Sequence, residues 1–96
     1  MAKTIKFTKG EMNLMAKHGL TKYGDPLDPT KAFVRSNPFS GVEVPVNMFA
    51  ANLIDTLISM YHDYNYHPEK FKVGEYDRLK YLLLKVDSEA YMNIID

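Results

Sequence analysis

The chain has 96 residues, 46% of them hydrophobic and 25% charged, and its twelve basic and twelve acidic side chains give a formal net charge of zero. That is one domain's worth of globular chain, residues 1–96, with no overall field to attract nucleic acid. Cysteine is absent, which excludes disulfides, thiolate nucleophiles and finger-type zinc sites; with no secretory pattern at the start and no apolar run near the roughly 20 residues of a membrane span, a cytoplasmic protein is expected.

In chain order, the first signal is a helix over about 9–18. Thr8 and Glu11 have the spacing of a capping box, Phe7 and Met12 occupy the positions of a hydrophobic staple, and Gly19 supplies a stop. Met12, Leu14 and Met15 are its apolar positions, and a helix this short must dock on something. Residues 20–31 read as a loop, because Asp25-Pro26 and Asp28-Pro29 push the backbone out of the helical region. A β-hairpin is expected next: a short run over Ala32–Arg35, a turn through Asn37, Pro38, Ser40 and Gly41, then Val42, Val44 and Val46 alternating with Glu43 and Pro45. Pro45 has no amide to donate, which weakens the second strand or places it at an edge.

The strongest periodicity runs over about 48–64, capped by Asn47. Phe49, Leu53, Ile54, Leu57, Ile58, Tyr61 and Tyr64 form one stripe, while Asn52, Asp55, Ser59, His62 and Asp63 share the opposite face. A second helix is predicted over 74–86 from Tyr76, Leu79, Leu83 and Val86, with Leu82 widening the stripe and Glu75, Asp77, Arg78, Lys80 and Lys85 on the wet side. Asp87 or Ser88 caps a last turn or two over 88–95. The fold expected is mainly α: a helical hairpin core of 48–64 against 74–86, with flanking short helices and a small β-hairpin.

Little in the chain has the pattern of a catalytic site. His62, Asp63 and His67 are the one cluster with ligand-type side chains, but the histidines are five apart rather than four and Pro68 follows, so surface residues at a helix end are the better reading. His18 is remote in sequence. The glycines are isolated and no serine sits in a nucleophile elbow. Neither enzymatic activity nor a metal or other cofactor is expected.

Binding surfaces are the better prospect. Tyr61, Tyr64, Tyr66, Tyr76, Tyr81 and Tyr91 crowd the second half of the chain, and tyrosines are enriched at interfaces. Tyr61, Tyr76 and Tyr91 fit core positions with hydroxyls at the rim; Tyr66 and Tyr81 fall off the stripes. Leu82, Leu83 and Leu84 are consecutive and point three ways around their helix, so one partner helix cannot cover them. The expected protein interface is Tyr66, Tyr81, Leu82, Leu84, Tyr91 and Ile95, with a homodimer formed through 74–95. The alternative is a small anionic ligand such as a nucleotide, held by tyrosines with Lys70, Lys72 and Lys80. Charge is also uneven along the chain: Lys3, Lys6, Lys9, Lys17 and Lys22 face only Glu11 in residues 1–24, while Asp87, Glu89 and Asp96 close it without a base. Solvated charge is the ordinary explanation; head-to-tail pairing between copies or a lysine patch for an anion is the specific one.

Two stretches carry a family resemblance. Asn37-Pro38-Phe39-Ser40-Gly41 with the alternating valines after it, and Tyr76-Asp77-Arg78 leading to Asp87, Ala90-Tyr91 and Ile94-Ile95-Asp96, resemble small uncharacterised proteins of tailed bacteriophages. The resemblance implies a phage accessory protein that acts by binding a protein partner, as a host-factor or defence inhibitor in the host cytoplasm or as a minor virion component. It assigns no residue a role.

Overall fold

A computed structural model describes residues 5–22 and 24–95; Lys3 and Asp96 of the charge asymmetry lie outside them. The order is α1 (Lys9–Lys17), a 3₁₀ turn (Leu20–Lys22), β1 (Phe33–Ser36), β2 (Glu43–Val46), α2 (Met48–Tyr66), a second 3₁₀ turn (Pro68–Lys70), α3 (Val73–Val86) and α4 (Ser88–Ala90), which runs into a π-helical turn (Tyr91–Ile95). The protein is mainly helical with a small antiparallel hairpin, as the periodicities predict.

Local chemistry explains the element ends. The Thr8 amide donates to Glu11 Oε1 (2.8 Å) and the Glu11 amide to Thr8 Oγ1 (3.1 Å), closing the capping box. Met12, however, is 52% exposed, and Leu14 and Met15 carry the buried side of α1. Gly19 ends the helix at φ +65°. The loop that follows is shorter than predicted, because Leu20 enters the core within the first 3₁₀ turn. Asp25 and Asp28 each accept the amide two residues on, from Leu27 and Thr30, both at 2.9 Å. Gly24 passes so close to α2 that an added Cβ would lie 2.8 Å from the Phe49 nitrogen. Asn47 serves two purposes: its Oδ1 caps α2 at the Ala50 amide (2.8 Å), and its Nδ2 donates to the Asp28 carbonyl (2.9 Å).

In the hairpin, Phe33 pairs with Val46, Val34 with Pro45, Arg35 with Val44 and Ser36 with Glu43. The Asn37 amide donates to the Val42 carbonyl (2.8 Å). Antiparallel pairs alternate between bonded and unbonded, so Arg35–Val44 and Phe33–Val46 exchange hydrogen bonds and Val34–Pro45 does not. Proline therefore stands where the missing amide would point away from β1, and the strand survives it. Asn37 organises the turn, its Oδ1 accepting from the Phe39 (2.7 Å) and Ser40 (3.1 Å) amides while its Nδ2 donates to the Asn93 carbonyl (3.0 Å). That last bond ties the hairpin to the C-terminal π turn.

The core lies where α2, α3 and the inner face of the hairpin meet. Phe49, Leu53, Ile54 and Leu57 of α2 are fully enclosed, as are Leu79, Leu82 and Leu83 of α3, with Val44, Val46, Ala90 and Ile94 closing the sides. Two of the three consecutive leucines are thus covered within one chain, because α3 packs on α2 and also contacts α1, α4 and the π turn. Only Leu84 keeps surface, at 37% exposure. Among the described residues no helix is long and apolar enough to cross a membrane.

Candidate functional site

α2 extends two turns beyond the core, and residues 61–66 are all exposed. Their support is aromatic: Tyr64 meets Phe71 with ring centroids 4.8 Å apart, and Phe71 meets Tyr76 at 5.3 Å. Burial pushes the Tyr76 phenol above its ordinary value, against the attraction of Lys80, whose Nζ lies 5.5 Å from the ring centroid.

On one side of this extension lies an apolar groove of about 320 Å³. Its floor is Leu57, Ile58, Ile94 and Ile95, and its rim carries Tyr61, His62, Asn65 and Tyr76. The hairpin turn closes the far wall with Pro38 and Phe39. Phe39 is 79% exposed and meets Tyr61 edge-on, centroids 6.0 Å apart. An apolar floor with a few polar groups at the lip is the build of a pocket that takes an apolar anchor and orients it with hydrogen bonds. A larger cleft of about 470 Å³, between the Gly19 turn and the polar face of α2, is open and lined by Asn52, Asp55, Thr56 and Ser59, so it offers little desolvation to a ligand.

On the other side of α2 a second cavity of about 300 Å³ brings together His18, Asp63, His67, Lys70, Lys72 and Glu75, with Met60 and Phe71 as apolar walls. Glu75 is its buried member, only 7% exposed. Its Oε1 accepts from His18 Nε2 at 2.7 Å and pairs with Lys17 Nζ at 3.0 Å, and these hydrogen bonds, Lys17's first, hold the carboxyl below the usual glutamate value despite burial. At the other end of α1, Lys85 Nζ reaches Glu11 Oε1 at 2.8 Å. Burial works to raise the Glu11 carboxyl, and hydrogen bonds from Lys85 and Thr8 outweigh it, so it too is lowered. Part of the charge asymmetry along the chain is therefore consumed by pairing α1 to α3 within one molecule.

The predicted site residues divide accordingly. Tyr66 (78% exposed) and Tyr81 (63%) are surface residues, and Leu84 is partly so. Leu82 is corrected: it is completely buried against the neighbouring elements and presents nothing to a partner. Tyr91 and Ile95 are half-buried against the core, and Ile95 lines the apolar groove. Lys70 and Lys72 share the second cavity; Lys80 does not, being paired with Asp77 at 3.6 Å beside the Tyr76 ring. Glu75, expected on the wet side of its helix, is the other correction, because α1 folds over it. His62 separates from its cluster onto the apolar groove, while Asp63 and His67 turn to the second cavity, where His18 joins them. Among the described residues no group of three His, Asp or Glu is placed to hold a metal ion.

Two features escaped the sequence. Phe39 was legible only as a large apolar residue in a turn, an unusual place for one. The His18–Glu75 contact joins residues 57 positions apart, and no local pattern marks it. Comparison with family models, curated proteins and solved structures gives no match.

Proposed function

We propose that this chain is a non-enzymatic binding protein that holds a protein partner by an apolar anchor side chain in the groove between the hairpin turn and α2. The observation that carries this reading is Phe39, a phenylalanine 79% exposed at the edge of an apolar groove. An aromatic left in water at the edge of an apolar pocket is the arrangement from which binding hot spots are made. The phage-accessory expectation belongs to this reading: a small protein that blocks a host or defence factor in the host cytoplasm, or joins a virion as a minor component, needs a surface of this kind and no catalytic machinery. Self-association through 74–95 is a second contact of the same class, favoured by Tyr81 and Leu84 standing about one turn apart on the outside of α3.

Selection of peptides from a displayed random library tests the groove. Enriched sequences are expected to share an aromatic or branched aliphatic anchor, and Phe39→Ala is expected to weaken them on the order of thirtyfold, the effect of losing one hot spot. The side chain is exposed, so the variant should fold normally. Failure to enrich any anchor, or equal binding by Phe39→Ala, would refute the proposal.

A further inference from the structure

The hairpin has one closed edge and one open edge. β2 is closed, because Pro45 turns its missing amide outward and the strand also lies against α4 and the π turn. β1 holds no proline. Phe33 and Arg35 are the residues that bond to β2, so the backbone groups of Ala32, Val34 and Ser36 point the other way, and all three residues are exposed. Among the described residues the Val34 and Ser36 amides have no hydrogen-bond partner. The Val34 carbonyl accepts from Arg35 Nη1 at 3.0 Å, which leaves its second lone pair for another donor. The Val34 side chain is itself apolar and 52% exposed.

The charges of this segment select a pairing. Arg35 is the charged residue of β1, and Asp55 of α2 neutralises it through Nε to Oδ1 (2.8 Å) and Nη2 to Oδ2 (3.0 Å). Lys31 lies just before the strand. If β1 pairs antiparallel with its own copy about a two-fold axis, the position of the axis fixes which side chains face each other. An axis at Phe33 sets Lys31 against Arg35 of the second copy. An axis at Arg35 sets the two arginines against each other. An axis at Val34 opposes no like charges: Arg35 faces Phe33 of the second copy, Lys31 faces its Asn37, and the two exposed valines cover one another. In that register Val34 with Val34, and Ser36 with Ala32, are the bonded pairs, so the outward backbone groups are the ones that meet.

We infer that the open edge of β1 is an interface for a second copy of this chain, paired antiparallel about Val34. The product is a four-stranded sheet in the order β2-β1-β1-β2. It ends on a Pro45 at both sides, so the assembly closes as a dimer and does not grow. A two-stranded ribbon is marginal by itself, and two more strands strengthen it. No residue of β1 lines the apolar groove, so this contact is independent of the groove. It is also separate from Tyr81 and Leu84 on α3.

The test uses the whole chain. Light scattering after size exclusion at about 100 μM should give a dimer mass, a concentration suited to a contact this small. Val34→Pro removes the outward amide at the ladder phase where Pro45 already stands, so it should give a monomer with unchanged helical circular dichroism. Val34→Lys leaves the backbone alone and opposes two ammoniums at the axis, so it should weaken the dimer by on the order of tenfold. Leu84→Glu should leave the dimer intact. The chain has no cysteine, so Val34→Cys reports the register directly. Bonded cross-strand Cα atoms lie about 5.5 Å apart, within disulfide reach, and mild oxidation with diamide should join two chains. Val42→Cys, exposed on the far strand side of the hairpin turn, should cross-link much more slowly. A monomer at 100 μM, roughly the concentration at which so small a contact is populated, overturns the inference. So does a dimer that survives both Val34→Pro and Val34→Lys, a dimer abolished by Leu84→Glu, or cross-linking of Val34→Cys no faster than that of Val42→Cys.

Discussion

Glu75→Gln isolates the charge of the buried carboxylate without changing its size. In the native protein one oxygen, Oε1, takes His18 at 2.7 Å and Lys17 at 3.0 Å. A hydrogen bond to a charged group contributes about 1.5–3 kcal/mol and a neutral one about 0.5–1.5, so the His18 contact loses roughly 1 kcal/mol on neutralisation. The Lys17 side chain is 57% exposed, and solvent screening reduces its share to a few tenths of a kcal/mol. The total of about 1–1.5 kcal/mol corresponds to a fall of roughly 5–10 °C in Tm for a domain of this size. The pH dependence has a definite sign. The folded carboxyl is held below its ordinary value of 4.5, so its stabilisation is fully present above that value and is lost as pH falls through the folded one. A protonated glutamate resembles glutamine, so the wild-type and variant stabilities should converge at the acid end. Glu11, which is also lowered, is present in both proteins and cancels in the difference. Urea denaturation followed by helical circular dichroism, from neutral pH down to pH 3, measures it. No gap at neutral pH, or a gap that keeps its full size in acid, would refute the ion-pair account of the α1–α3 junction.

Leu82→Ala should cost about 2–5 kcal/mol, the range for a buried leucine, since the side chain is fully enclosed; chemical denaturation checks it, and a loss under about 1 kcal/mol would mean the site is not core. Leu84→Glu should leave helical circular dichroism intact and, if α3 is the self-association face, convert a dimer mass to a monomer mass in light scattering after size exclusion. A wild-type monomer at micromolar concentration would remove that interface.

What the sequence by itself determined is the set of elements and their ends. Thr8–Glu11, Gly19, the Asp-Pro turns and Asn47 act over two to four residues, where the chain's own geometry places the partners, and the 3.6-residue stripes of α2 and α3 mark which faces must be buried. Even Pro45 obeyed a local rule, since its effect on β2 depended only on which pairs of the ladder were bonded. The candidate sites were another matter. Leu82 and Leu84 both stood among the expected interface residues, yet one is enclosed and the other is not, because that depends on which elements pack around α3. Glu75 carries every sign of a surface residue until α1 lays Lys17 and His18 over it. Phe39 became the wall of a groove only when Asn37 tied the hairpin turn to the π turn through Asn93, and Lys70 and Lys72 acquired Asp63 as a neighbour only because the chain reverses after α2. Capping and periodicity are near-neighbour interactions; burial, pairing and pocket formation belong to side chains far apart in the chain, and only the packing of the helices decides which of them meet.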